Sequence, residues 1–220
     1  MRRVLVLRPE PGATETLERA RERGLDAIAM PLFEIESLSW TLPDPNKFDA
    51  LLLTSANAVR AGGVQLSHLR GLPVHAVGEA TAEAARNADF AVASTGDADV
   101  GRLLQSIDPA LSLLHLCGED HKEPAASQEI TPIPVYRSRA REIVDLGQAR
   151  DAVVLVHSPR ASRRFADLAA ERSSILIAAI SPAAAEAVGD GWAIVESANT
   201  PTDDALLALA ARLCNIPLAQ

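Results

Sequence analysis

Several short stretches of this chain carry residue types that could bind or react, and each follows an apolar run of strand character. Arg8-Pro9 follows VLVL and Thr54-Ser55-Ala56-Asn57 follows ALLL, while Gly78-Glu79-Ala80-Thr81 follows PVHAV. Further on come Cys117-Gly118-Glu119, His157-Ser158-Pro159-Arg160 and Ser181-Pro182-Ala183. Small residues and hydroxyls dominate these turns, and they leave backbone amides exposed. At the carboxyl ends of parallel strands, helix N-termini converge with free N–H groups and positive dipole ends. Such a place suits an anionic, oxygen-rich ligand held by many modest contacts. For any one turn, a Ser or Thr is more simply the N-cap of the next helix, worth about 1 kcal/mol. Recurrence is what lifts the set.

Other constellations fail. The chain has no G-x-G-x-x-G and no Walker A pattern, so dinucleotide and P-loop chemistry lack support. His115, Cys117 and His121 have a spacing that matches no standard metal site, and no metal is expected. His157 beside Ser158 is not a catalytic dyad, because neighbours on a strand point to opposite faces and no carboxylate partner is indicated. Cys117 and Cys214 have no motif spacing and read as reduced, buried thiols.

These turns are positioned by strands and helices that alternate from end to end. The pattern predicts strands at 4–8, 26–31, 50–54, 73–77, 90–94, 111–116, 130–136, 152–157, 175–180 and 192–197. It predicts helices at 14–23, 57–66, 79–88, 98–106, 160–170, 182–188 and 202–213. Alternation means right-handed βαβ units, and continuous apolar runs mean parallel sheets covered on both faces. Aromatics are only 3% and the formal charge is −8, both unfavourable for a nucleic-acid partner. The only apolar run near the N-terminus, Val4 to Leu7, is too short for a signal sequence, and no window resembles a membrane span. A cytoplasmic protein is expected.

The chain also repeats itself. LTSANA (53–58) lies over VHSPRA (156–161), pairing Ser55 with Ser158 (158 − 55 = 103). HAVGEATAEAA (75–85) lies over AAISPAAAEAV (178–188), pairing Gly78 with Ser181 (181 − 78 = 103). Leu103-Leu104 lies over Leu206-Leu207 at the same offset. Two similar α/β lobes follow. Separating stretches at 36–47 and 136–142 predict that the middle lobe is inserted, the first lobe comprising 1–35 plus 140–220 and the second 36–139.

At these residues the sequence resembles the uroporphyrinogen-III synthase family. FDALLLTSANAVRA, VHAVGEATAEAA, PIPVYRS, VVLVHSPRASRRFADL and IAAISPAAAEAV stand in family order and spacing, and the N-terminal VLVLRPEPGATETLERARERGLDAIAMPLFEI also fits. The resemblance implies two flavodoxin-like parallel-sheet lobes joined by a two-stranded connector, and a reaction without cofactor. The implied substrate is the linear tetrapyrrole hydroxymethylbilane, closed to a macrocycle with inversion of its ring D through a spiro intermediate. Carried over, the family's phenol falls on Tyr136, the only tyrosine, which would assist departure of the hydroxyl as an acid. Ser55, Asn57, Thr81 and Ser158 match positions lining the family's cleft, and Arg8 is a candidate carboxylate partner by a looser match. Thr54, Gly78, Arg160 and Ser181 complete the binding set from the strand-end turns. A monomer acting on a small molecule is implied.

Two departures bear on the site. Ala183 and Ala184 stand where some members carry threonines, so a hydroxyl there must come from Ser181. The segment after LHLCGED is the short, proline-broken HKEPAASQ rather than a full helix. Competing readings are a two-lobed cytosolic binder of an anionic small molecule, and an inactive relative serving as an interaction module. The binder does not account for a tyrosine placed in the connector; the inactive relative stays open, since the scarcity of titratable groups that would favour it is expected in this family anyway.

Overall fold

The structure is a computed structural model, and it describes residues 2–96, 99–142 and 144–216. It divides into two compact units, Met1–Glu34 with Ala140–Gln220 (lobe 1) and Ile35–Arg139 (lobe 2).

Lobe 1 holds β1 (Val4–Val6), α1 (Gly12–Glu22) and β2 (Ala27–Ala29) from the start of the chain. From its end come β9 (Val153–Val156), α5 (Pro159–Leu168), β10 (Leu176–Ala179), α6 (Pro182–Val188), β11 (Ile194–Ser197) and α7 (Asp203–Cys214). Its sheet is ordered β11-β10-β9-β1-β2 with every pairing parallel. In chain order that is 2-1-3-4-5, the flavodoxin arrangement. Alternate residues serve opposite faces. Val4, Val6, Val153 and Leu155 pack toward α1 and α7, and Leu5, Leu7, Val154 and Val156 toward α5 and α6. Both faces are therefore apolar, which is why the strands read as unbroken hydrophobic runs.

Lobe 2 holds β3 (Phe33–Ser37), which begins at the unit boundary, then β4 (Ala50–Leu53), α2 (Ala56–Ala61), β5 (Val74–Val77) and α3 (Glu79–Asn87). It continues with β6 (Val92–Gly96), α4 (Val100–Gln105), β7 (Ser112–Gly118) and β8 (Glu129–Ala140). The sheet order is β3-β8-β7-β4-β5-β6. Apart from β3, this is the spatial order of lobe 1 with the β1–β2 pair replaced by β7–β8, so the second lobe is a permuted form of the first. Residue pairing matches as well: Leu51 faces Val74 in lobe 2, and Val154 faces Ile177 in lobe 1 (154 − 51 = 103; 177 − 74 = 103).

The lobes differ where a helix is missing. Val4 and Ala27 are paired across α1, 23 residues apart, whereas their counterparts Leu113 and Ile130 are 17 apart (27 − 4; 130 − 113). No helix forms between β7 and β8; Gln128 instead reaches the carbonyls of Leu104, Ile107 and Asp108 at 2.8–3.3 Å and ties the shortened segment down. Helix α2 also stops earlier than the expected 66. Gly62 and Gly63 follow it, the latter at φ +67°, and the chain continues as a 3₁₀ turn over Val64–Leu69. The helix expected from residue 98 is observed from Val100, capped by Asp99; residue 98 itself lies outside the described residues.

β3 and the last part of β8 are antiparallel. Arg141 N–H donates to Leu32 C=O (3.0 Å) and Leu38 N–H to Val135 C=O (2.9 Å), so one strand ascends as the other descends. Glu36 links Arg137 and Arg139 across this ladder at 2.7 and 3.3 Å.

Candidate active site

The residues singled out in the sequence fall on the carboxyl-end rims of the two sheets, some on each lobe. On lobe 2, Thr54, Ser55 and Asn57 follow β4, Gly78 and Thr81 follow β5, and Tyr136 lies on β8 in register with Gly118 at the end of β7. On lobe 1, Arg8 follows β1, Ser158 and Arg160 follow β9, and Ser181 follows β10.

The serines do what their local chemistry asks. Ser55 accepts from Asn57 N–H (3.2 Å), Ser158 from Ala161 N–H (3.1 Å) and Ser181 from Ala184 N–H (3.3 Å), each as the N-cap of its helix. Pro159 and Pro182 sit in the first turn, where a missing N–H costs nothing. Gly78 occupies the same place before α3 but has no side chain to cap with. Its backbone, φ +84° and ψ 149°, lies in a region essentially reserved for glycine. Thr81 is buried inside α3, and the exposed Arg160 lays its guanidinium 4.5 Å over the Phe33 ring.

Tyr136 is half-buried against the lobe 2 core. A Cβ at Gly118 would lie 2.9–3.1 Å from its Cζ, Cε2 and Oη, so only glycine lets the phenol occupy this position. Among the described residues its hydroxyl makes no hydrogen bond.

Two histidines, His115 fully buried and His157 largely so, support the rims, and the sequence alone assigns neither of them a role. In lobe 2, Nε2 of His115 lies 3.1 Å from Thr54 Oγ1, while Nδ1 has no partner among the described residues. Burial, helped by the nearby His121, lowers its pKa to about 4, so the ring is neutral near pH 7. Hydrogen-bond accounting then assigns the proton. With Nε2–H donating to Thr54, the ring leaves a bare lone pair; the other tautomer would bury an unpaired N–H, which is costlier. Thr54 is thus an acceptor from below, and its own O–H proton is free to turn outward.

In lobe 1, His157 Nε2 meets Asp203 Oδ1 at 3.2 Å. The sequence indicates no carboxylate partner for His157, and the structure supplies one from the first turn of α7, 46 residues away. No local spacing could have revealed it. Asp203 also accepts from Thr16 Oγ1 (2.7 Å) and from Arg8 Nη1 (3.2 and 3.3 Å). Burial alone would raise its pKa; the hydrogen bonds from His157 and Thr16 and the charge of Arg8 outweigh that and hold it at about 2. Desolvation, by contrast, pushes the His157 imidazole below its ordinary value despite Asp203.

His121 donates through Nδ1 to Gly118 C=O (3.1 Å), and burial raises the Cys117 thiol to about 11. Among the described residues, no group of His, Cys, Asp and Glu is arranged to hold a metal ion, and no helix is long and apolar enough to cross a membrane.

The fold and its rims define a two-lobed α/β protein that presents hydroxyls, helix amides and a phenol at the carboxyl ends of two parallel sheets. The chain belongs to the uroporphyrinogen-III synthase family, whose model, described as uroporphyrinogen-III synthase HemD, matches residues 14–208. Comparison with curated proteins finds no match. Among solved structures, the chain is similar to the uroporphyrinogen-III synthetase of Helicobacter pylori, at 20% identity and TM-score 0.66, over 97% of this chain and 100% of that one. It is also similar to a mutant uroporphyrinogen III synthase of Thermus thermophilus, at 14% identity and TM-score 0.54, over 97% and 98% of the two chains.

Proposed function

We infer that this chain is an enzyme of heme biosynthesis that cyclises hydroxymethylbilane to uroporphyrinogen III. The terminal hydroxyl leaves as water, the resulting electrophilic carbon is attacked by the substituted carbon of ring D, and a spiro intermediate reopens with that ring inverted. The observation that carries this reading is the family match across residues 14–208.

The site follows from that chemistry. Hydroxymethylbilane is a flexible polycarboxylate, and choosing one closure over another is chiefly a matter of positioning. The rim groups Thr54, Ser55, Asn57 and the turn at Gly78 of lobe 2, and Arg8, Ser158, Arg160 and Ser181 of lobe 1, bind its carboxylates, while Thr81, buried within α3 with its N–H on Gly78 C=O, supports that turn from behind. Helix amides and outward hydroxyl protons are the donors. Tyr136 is the acid: its hydroxyl is not committed to any described residue, so its proton can go to the departing oxygen. The enzyme acts as a cytoplasmic monomer on this small molecule, without nucleic acid or membrane.

The test adds purified protein to fresh hydroxymethylbilane, oxidises the products and separates uroporphyrin isomers. Predominantly isomer III is expected, and isomer I at the uncatalysed rate would leave only a two-lobed binder. Tyr136→Phe is expected to lower kcat by about 10²-fold or more, the scale of general acid catalysis, with an unchanged melting temperature. Wild-type kinetics in that variant would remove Tyr136 from the mechanism.

A further inference from the structure

Arg8 is held from one side only. Its Nη1 donates to both oxygens of Asp203 and lies 3.3 Å from Thr16 Oγ1. Among the described residues, Nε and Nη2 have no hydrogen-bond partner, and the side chain is 31% exposed. An arginine tied back by Nη1 presents its Nε–Nη2 edge, the edge that grips a carboxylate with two parallel hydrogen bonds.

The guanidinium also rests on a glycine chosen for it. A Cβ at Gly12 would fall 2.5 Å from Nε, 2.6 Å from Cζ and 2.7 Å from Nη2. Gly12 does not sit at positive φ, so backbone conformation does not require glycine there. Gly12 is the first residue of α1, a position that most residue types can occupy. The close approach of Arg8 is the feature that demands it.

The internal repeat provides a control. His157 and Asp203 correspond to Thr54 and Val100 at the offset of 103, and Arg8 corresponds to Cys117 through the pairing of β1 and β7. Among the described residues, lobe 2 builds the same sheet with no ionic cluster at this place, so the sheet forms without one.

We propose that Asp203 and Gly12 are positioning residues that preset Arg8 as a bidentate carboxylate-binding group on the lobe 1 rim. Thr16 and His157 complete the cradle by occupying the remaining acceptor sites of Asp203. The proposal rests on the reading above for the identity of the ligand, a carboxylate of the tetrapyrrole substrate, but the presetting itself is a property of the free protein.

The experiment has two parts on the full chain. The Arg8 Nε–H signal, identified by its loss in Arg8→Lys, is followed by ¹⁵N heteronuclear relaxation without ligand. It is expected to be as rigid as the backbone in the wild type and mobile in Asp203→Asn and Gly12→Ala. A mobile Nε in the wild type, or an unchanged one in both variants, overturns the proposal. Kinetics on hydroxymethylbilane then test its use. Gly12→Ala and Arg8→Gln are each expected to raise KM about tenfold with kcat within about twofold, the pattern of lost uniform binding. The double variant should be no worse than Arg8→Gln alone, since the glycine acts through the arginine. Additive losses would overturn the proposal. A wild type that makes no isomer III would sink the functional reading, and the relaxation data would still decide whether Arg8 is preset.

Discussion

His115 shows what a single buried side chain contributes here and what it costs. Its pKa of about 4 against an ordinary 6.5 means that, between these pH values, the unfolded chain takes up a proton that the folded chain refuses. The stability this site contributes is whole above pH 6.5 and drains away as pH falls toward 4, on the order of 3 kcal/mol. His115→Gln keeps an N–H for Thr54 without a titrating ring. Denaturant titrations of that variant should show a smaller loss of stability from pH 6.5 to 4 than the wild type; parallel curves would contradict the account. Legibility at this scale was uneven. The caps at Ser55, Ser158 and Ser181 could be read because a cap is a local event, written in neighbouring residues. The partnerships Thr54–His115 and His157–Asp203 join strands and helices far apart in the chain, and residue types alone do not announce them.

Among the elements, the strands of the sheet interiors were the most legible. Burial on both faces makes β4, β9 and β10 continuous apolar runs, and the turn after β5 carries a glycine for a backbone reason that can be tested. Gly78 precedes α3 in a conformation that a Cβ opposes. Gly78→Ala is expected to lower stability by about 1–3 kcal/mol, read by thermal melts. Ala at Ser181, its counterpart at φ −153°, carries no such strain and loses only a cap. Equal costs at the two positions would refute the strain argument. Less was legible in β3, whose sequence FEIES mixes charged and apolar residues because much of the strand is exposed, and in α2, whose apolar pattern runs past a Gly-Gly pair that ends it. The absent helix between β7 and β8 was visible as a proline in a short polar segment; what replaces it, the side chain of Gln128 on three carbonyls, was not.

The molecule as a whole carries two independent sets of cores, one pair of clusters per lobe. Local stability should follow that division. Leu155→Ala in lobe 1 and Leu52→Ala in lobe 2 both empty fully buried sites, each at roughly 2–5 kcal/mol. Native-state hydrogen exchange should speed mainly in the lobe that carries the change, whereas uniform acceleration across both would show a single cooperative unit. The constant offset has a deeper reading when followed along the chain rather than across the sheets. It relates β4, β5 and β6 to β9, β10 and β11, and it also relates β2 to β8 (130 − 27 = 103). Even the two ladder bonds obey it, since Arg141 and Leu32 stand to Leu38 and Val135 as partners 103 residues apart (141 − 38; 135 − 32). The two halves of the chain therefore repeat one order of elements, with β1 to β6 as the first and β7 to β11 as the second. Each half lends its leading strand pair to the sheet built by the other's last three strands, a domain swap contained within one polypeptide.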